Sequence, residues 1–301
     1  MLKINKYAAI DIGSNAVRLL ISNIIEQDNE LVVFKKNSLV RVPIRLGADV
    51  FINGEISEYN KKRMLDTMMA FSFLIKSHGV ARYKACATSA MREASNSEAL
   101  SKDIFETTGI KIDIIDGEEE AAIIAATDLN TFIDPNKTYL YVDVGGGSTE
   151  FSIIHNGEKI KSKSFKIGTV RLLNDIVKNE TWQELESWIK ENTKDYYKIE
   201  LIGSGGNINK IFKISGKDLG KPLTYFYLTS YYKMLQSYSY EERITRLNLN
   251  QDRADVIIPA TRIYLSAMKW SGAKDIYVPK IGLSDGIIKS MYYETIPSVK
   301  V

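Results

Sequence analysis

Two stretches of the chain place a carboxylate directly before a glycine-containing turn, a combination suited to binding phosphate. In the second half, Asp143 ends an apolar run and precedes three glycines and a hydroxyl, namely Gly145, Gly146, Gly147 and Ser148. Glycine lets the backbone approach a ligand with its N–H groups turned outward, and a carboxylate at a strand end can hold a divalent cation. An ordinary hairpin with turn glycines is the alternative for such a motif taken alone.

The same order of residues opens the first half of the chain. Asp11 ends an apolar run and is followed by a polar turn containing Gly13, Ser14 and Asn15, and then by a second apolar run that includes Arg18. Asp11 and Asp143 therefore occupy matching positions, and a third strand candidate follows in each half. The pattern predicts a duplicated α/β chain in which the order βββαβαβα occurs twice.

The duplication predicts two domains, at residues 1–126 and 127–301, with a boundary near a turn cluster at Asp134-Pro135-Asn136. The second domain carries extra segments, at about 169–198 and 210–273, which we interpret as helical scaffold. Open α/β sheets bind ligands at their strand ends, so two such domains facing each other predict a cleft that both glycine turns enter.

Composition is typical of a globular protein with two cores. The chain has 301 residues, of which 45% are hydrophobic and 26% charged, and its net charge is +3. The single cysteine, Cys86, suits a reducing cytoplasm. Since we find neither a signal peptide, nor a long apolar run, nor a basic tail, we expect a cytoplasmic protein without membrane or nucleic-acid partners.

Several segments resemble, in order, motifs of the exopolyphosphatase and guanosine pentaphosphate phosphatase family, short form, within the actin-like, sugar-kinase and Hsp70-like ATPase superfamily. These segments are AAIDIGSNAVRLLI, CATSAMREA, IDGEEEAAI, YVDVGGGSTEFSI, LIGSGGNINKI and RADVIIPA. The resemblance spans nearly the whole chain and implies two actin-like (ribonuclease H-like) domains with a cleft between them. From the same resemblance we also expect the protein to form a homodimer.

The same resemblance implies hydrolysis of the terminal phosphoanhydride bond of inorganic polyphosphate with Mg²⁺ or another divalent cation. Guanosine pentaphosphate is the alternative substrate. A sensor that binds phosphate or nucleotide without turnover, and a sugar-kinase-like phosphotransferase, are the other readings.

Roles for individual residues follow from the resemblance. Glu120 is the expected general base and Glu119 the second choice, although an acidic run at a helix start also suits the helix dipole. Arg92 is expected to bind phosphate, or else to be a surface arginine. The metal is expected on Asp143, with Asp11 or Glu150, while Glu150 has the alternative of a plain strand residue.

The remaining expected phosphate contacts are Ser14, Asn15, Arg18 and the glycine turn with Ser148. A further loop, Gly203, Ser204, Gly205 and Gly206, stands where nucleotide-binding relatives hold adenosine. A simple tight turn explains that loop equally well.

Overall fold

The computed structural model describes residues 1–125, 127 and 133–294. The chain folds into two compact units, one formed by Met1–Thr127 with Gly282–Val301 and the other by Asp128–Ile281. Within the described residues, no helix has both the length and the apolar character that crossing a bilayer requires.

The first unit is built on a sheet that starts as an antiparallel meander and continues with parallel strands. Its strands are β1 (Lys3–Ile12), β2 (Val17–Glu26), β3 (Val33–Val42), β4 (Arg82–Ala87) and β5 (Ile112–Ile114), in the spatial order β3-β2-β1-β4-β5. The inner half of β1 is buried without interruption from Tyr7 to Ile12, as expected for a strand covered on both faces. The edge strand β3 is mostly exposed or half-buried.

Helices connect these strands and cover the sheet. They are α1 (Leu46–Asn53), α2 (Glu58–Ser77), α3 (Ser89–Glu93), α4 (Ser97–Thr108) and α5 (Gly117–Ala125). Helix α2 begins after Ser57, whose hydroxyl accepts a hydrogen bond from the N–H of Asn60 at 3.3 Å and caps the first turn.

The second unit repeats this plan around a larger sheet with the order β10-β11-β9-β6-β7-β8. Its strands are β6 (Thr138–Val144), β7 (Thr149–His155), β8 (Glu158–Phe165), β9 (Ile199–Ser204), β10 (Leu223–Thr224) and β11 (Asp275–Tyr277). The series β8-β7-β6-β9-β11 matches β3-β2-β1-β4-β5 strand for strand, in agreement with the predicted duplication.

The helices of the second unit form most of its core together with the sheet. They are α6 (Thr169–Leu173), α7 (Asn179–Thr193), α8 (Gly206–Ile214), α9 (Tyr225–Ser237), α10 (Tyr240–Thr245), α11 (Gln251–Ala254) and α12 (Ile257–Ser271). Helices of this unit share one hydrophobic cluster, to which α7, α8, α9 and α12 contribute Leu185, Ile211, Leu228 and Tyr264, respectively. The extra segments of the second unit are largely helical, as expected, and their role as scaffold stays a prediction.

The last helix, α13 (Leu283–Tyr293), belongs to the first unit. It packs on α5 and β1, and a Cβ atom at Gly286 would overlap the carbonyl of Ile123. This differs from the predicted second domain of 127–301, which had assigned the helix to the other half. The physical reason is this close helix contact, which only glycine permits and which the order of elements alone does not show.

Candidate active site

The connection between β6 and β7 is a tight turn closed by its own backbone. The N–H of Gly145 donates to the carbonyl of Ser148 at 3.0 Å. The first unit closes the matching turn in the same way, with the N–H of Gly13 donating to Ala16 at 3.2 Å. The two predicted glycine turns therefore share one backbone geometry.

The start of α6 holds the carbonyl groups of the second turn. Three successive carbonyls accept hydrogen bonds, Gly145 from the N–H of Thr169 at 3.0 Å, Gly146 from that of Val170 at 2.9 Å and Gly147 from the Nε of Arg171 at 2.8 Å. In a trans peptide the N–H points opposite to the carbonyl that precedes it. The N–H groups of Gly146, Gly147 and Ser148 are therefore directed away from α6, as in an anion-binding nest.

Gly168 and Arg171 are functional candidates that the sequence analysis missed. A Cβ atom at Gly168 would overlap the backbone of Gly146 and Gly147, so only glycine lets α6 approach the turn. The sequence offered one signal, because Gly47 in the first half also follows the third strand of its meander. That signal is visible only once the two halves are aligned.

Two acidic side chains flank this turn. Asp143 and Glu150 are partners in the register of β6 and β7, and a carboxylate oxygen of each lies within 4.8 Å of the other. Glu150 is 4% exposed, and its Oε1 accepts hydrogen bonds from the hydroxyls of Ser148 at 2.6 Å and Ser164 at 2.9 Å. Nearby carboxylates repel each other, and hard oxygen ligands suit Mg²⁺ or Ca²⁺, so this pair fits a divalent cation.

The loop after β9 packs directly behind Asp143. Gly205 has a φ of +116°, and a Cβ there would lie 2.9 Å from the carbonyl oxygen of Val144, 3.2 Å from the hydroxyl of Tyr264 and 3.6 Å from Oδ1 of Asp143. The hydroxyl of Tyr264 donates to the carbonyl of Ser204. Burial, and secondarily the charge of Asp143, raises the pKa of Tyr264 well above its usual value, so this donor stays protonated.

Close packing explains Gly203 and Gly205 of this loop without a ligand. A Cβ at Gly203 would lie 2.7 Å from Cδ1 of Ile276, and Gly206 is the first residue of α8. The structure places Gly203, Ser204, Gly205 and Gly206 together at the end of β9. Their role in nucleotide binding stays a prediction.

The turn of the first unit is held by the start of α1. The carbonyl of Ser14 accepts from the N–H of Gly47 at 2.8 Å, and that of Asn15 accepts from the N–H of Arg45 at 3.1 Å. The N–H groups of Asn15 and Ala16 are consequently directed away from α1. The hydroxyl of Ser14 lies 2.9 Å from that of Ser89, at the start of α3.

Asp11 and Arg18 form an ion pair inside the first unit. They are register partners on β1 and β2, with Nη1 of Arg18 2.6 Å from Oδ2 of Asp11, whose side chain is buried. The guanidinium supplies the countercharge that a buried carboxylate needs. Arg18 already engages one oxygen of Asp11, whereas Asp143 and Glu150 are close enough to share one ion. These two are therefore the better ligand candidates, and Asp11 as a ligand stays a prediction.

The acidic start of α5 separates into exposed and buried carboxylates. Oδ1 of Asp116 caps the helix by accepting from the N–H groups of Glu118 at 2.9 Å and Glu119 at 2.8 Å. Glu118 and Glu119 are exposed, whereas Glu120 is 9% exposed. Capping therefore explains the first turn of α5 but does not explain a buried Glu120.

Arg92 joins α3 to the segment that leads into α5. Its Nη1 donates to the carbonyl of Ile115 at 2.5 Å. The side chain is half-buried, and its guanidinium retains donors in addition to the one used here. Arg92 is thus fixed near the start of the helix that carries Glu120.

Comparisons with known proteins identify the family. Residues 24–294 match the sequence model of the Ppx/GppA phosphatase family. A bifunctional 3-dehydroquinate synthase/phosphatase of Fusobacterium nucleatum is 36% identical over 217 residues, covering 66% of this chain and 32% of that protein. A putative exopolyphosphatase of Haemophilus influenzae is 22% identical over 303 residues, covering 96% and 92%.

A guanosine-5'-triphosphate,3'-diphosphate pyrophosphatase of Photobacterium profundum is 31% identical over 174 residues, covering 58% of this chain and 34% of the relative. The matched region thus spans about a third of this relative and of the F. nucleatum protein.

Solved structures share the fold. The Ppx/GppA family member of Aquifex aeolicus superposes with a TM-score of 0.76 at 25% identity, covering 98% of this chain and all 100% of that one. An exopolyphosphatase of Cytophaga hutchinsonii gives 0.81 at 23% identity, covering 97% and 99%. With its duplicated sheets and paired glycine turns, this chain has the two-domain actin-like α/β fold and belongs to the Ppx/GppA phosphatase family.

Proposed function

We propose that this protein hydrolyses the terminal phosphoanhydride bond of inorganic polyphosphate and releases orthophosphate. One observation carries the proposal: three successive N–H groups, of Gly146, Gly147 and Ser148, are directed to one side of a turn flanked by the carboxylates of Asp143 and Glu150. Backbone donors fixed in this way can stabilise the charge on a transferring phosphoryl group.

Asp143 and Glu150 would hold a divalent cation, which we propose to be Mg²⁺. When bound, such a cation neutralises charge on phosphoryl oxygens. The hydroxyl of Ser148 fixes one oxygen of Glu150. That contact orients the carboxylate before any ligand arrives.

The remaining roles belong to the first unit's residues. We assign Glu120 as the base that accepts a proton from the attacking water, which requires hydrogen-bond reach to that water. The water oxygen forms a bond to the terminal phosphorus, the bridging P–O bond breaks, and the shortened chain leaves with the electron pair. Arg92, with Arg18 and the turn at Ser14 and Asn15, would neutralise the phosphate charge.

A second substrate is guanosine pentaphosphate. This alternative is favoured by relatives named for that chemistry, including the P. profundum protein. The loop from Gly203 to Gly206 is the candidate contact for its nucleoside. We further propose a cytoplasmic location and a homodimer, with neither nucleic acid nor membrane as a partner.

Orthophosphate release from polyphosphate, guanosine pentaphosphate and ATP, measured side by side with and without Mg²⁺, tests the proposal. We expect release from polyphosphate that stops when the metal is chelated. Faster release from guanosine pentaphosphate would select the alternative. Binding of all three compounds without release would identify a sensor, and phosphate transfer that needs an acceptor would identify a kinase.

A further inference from the structure

We propose that Gly168 and Arg171 are positioning residues that set the direction of the phosphate-binding N–H groups. Neither residue needs to touch the substrate. They act on the carbonyl side of the turn, and the N–H side follows because each peptide unit is planar. The kinetic part of this proposal rests on the proposed function.

Gly168 determines how closely α6 can approach the turn. It is the residue before α6 and has extended backbone, with φ −133° and ψ 163°, which any residue can adopt. Its requirement for glycine is therefore steric, since a Cβ would overlap the carbonyl of Gly146. An added methyl group would push α6 and the turn apart and would lengthen the bonds from Thr169 and Val170.

Among the described hydrogen bonds to these carbonyls, the side-chain donor is Arg171, whereas the others come from the backbone N–H groups of Thr169, Val170 and Arg171 itself. Its Nε donates to Gly147, and the peptide that this carbonyl begins carries the N–H of Ser148. Without that donor the peptide can rotate, and rotation would bring a carbonyl oxygen toward a bound phosphoryl oxygen. Lysine cannot replace the planar Nε donor at the same position.

The first unit holds its turn differently. The described contacts to the carbonyls of Ser14 and Asn15 come from backbone N–H groups, those of Gly47 and Arg45. A side-chain substitution can therefore loosen the second turn and leave the first one intact. This asymmetry makes Arg171 a selective probe of the turn next to Asp143 and Glu150.

Matched variants separate positioning from general destabilisation. The test variants are Arg171→Met, Arg171→Lys and Gly168→Ala. Arg243→Met is the control for arginine, since the Nε of Arg243 also donates to a backbone carbonyl, that of Tyr238 at 3.2 Å. Gly282→Ala is the control for glycine, because Gly282 also precedes a helix in extended backbone and a Cβ there would have nothing within 4 Å.

Three measurements are made on each full-length variant: the melting temperature, the steady-state constants with polyphosphate and Mg²⁺, and amide hydrogen exchange at residues 146–148 with and without orthophosphate. We expect Arg171→Met and Gly168→Ala to lower kcat by about 10- to 100-fold, somewhat less than the loss of a complete oxyanion donor. In these variants, amide hydrogen exchange at Gly147 and Ser148 should become faster, and orthophosphate should protect the two amides less than in the wild-type protein. Arg171→Lys should restore little of the wild-type kcat or of the wild-type protection.

Both controls should keep wild-type kcat and wild-type exchange at these amides. Arg171→Met with unchanged kcat and unchanged exchange would overturn the proposal, and so would full activity of Arg171→Lys. If the wild-type protein releases no phosphate from any substrate, the proposed function fails. Amide hydrogen exchange at residues 146–148, measured in the presence of orthophosphate, then still decides whether Arg171 and Gly168 set the geometry of these amides.

Discussion

Glu120 differs from its acidic neighbours in burial rather than in residue type. Glu118 and Glu119 lie in the solvent-exposed first turn of α5, where Asp116 caps the helix, whereas Glu120 is buried. A carboxylate buried near a helix N-terminus gains from the dipole but loses hydration. Such a position is common for a group that accepts a proton in a reaction.

Glu120→Gln should therefore remove the base while it keeps the shape of the side chain. We expect phosphate release to fall at least about a hundredfold, the usual size of general-base loss, with little change in melting temperature or polyphosphate binding. Glu119→Gln is the matched control and should retain activity. A larger loss in Glu119→Gln than in Glu120→Gln would transfer the assignment to Glu119.

Cys86 lies on β4 opposite Asp11 and is fully buried. Burial, more than any neighbouring charge, raises the pKa of its thiol to about 12. Because the folded pKa is above the unfolded one, the stability linked to this thiol is fully present below the unfolded pKa. It is lost as the pH rises through the folded pKa.

We accordingly expect a thiol reagent such as Ellman's reagent to leave the native protein unmodified at pH 8. One thiol per chain should react once urea unfolds the protein. Native protein incubated without the reagent is the control for any loss of activity. Rapid modification of the native protein would show that β4 opens locally far more often than its burial suggests.

At the scale of elements, the packing of α13 against α5 positions the proposed base. Gly286 of α13 lies against the carbonyl of Ile123, one helical turn beyond Glu120. Gly286→Ala should destabilise the protein by about 1–3 kcal/mol through overpacking. Because the strain falls on α5, kcat should also decrease.

Thermal unfolding and steady-state kinetics of Gly286→Ala check this prediction, and Gly282→Ala serves again as the control. Equal melting temperatures and equal kcat for the two variants would show that α5 does not depend on this contact.

The strands of both meanders could be predicted from the sequence, since runs such as Tyr139–Val142 are apolar, β-branched or aromatic and are bounded by turn residues. The partner of α13 could not be predicted. Its apolar face, which includes Ile287 and Met291, shows that one side is buried but does not say against which sheet.

The residues that surround the glycine turns could be predicted only in part. Asp143 and the glycines stand out by type and spacing, and Glu150 becomes their neighbour as soon as β6 and β7 are paired. Gly168 and Arg171 contact the turn through a helix about 20 residues later, by a contact that local sequence patterns do not encode. The ion pair of Asp11 with Arg18 could have been expected from their facing positions on β1 and β2.

At the scale of the whole molecule, the chain leaves the first unit near residue 127 and returns to it at Gly282. Helix α13 brings buried apolar side chains back to that unit, among them Ile287, Ile288 and Met291. Full burial of each such side chain is worth about 1.5–3 kcal/mol, which together approaches the whole stability of a typical domain.

Truncation after Ile281 should consequently unfold the first unit and spare the second. Hydrogen exchange should become fast in β1 and α5, while β6 and β9 keep their protection. Truncation after Glu294 keeps α13 and is the matched control. Equal loss of protection in both units after the shorter truncation would mean that they fold as one cooperative block.

The return of α13 also reverses the usual sequence of events on the ribosome. Domains generally fold in the order in which they emerge, with the N-terminal one first. Here residues 128–281 are all synthesised before the helix that completes the first unit. A nascent chain arrested after Ile281 has emerged should therefore resist protease in the later-made unit while the earlier-made one is still cut, so that the half with the proposed base is the last to mature.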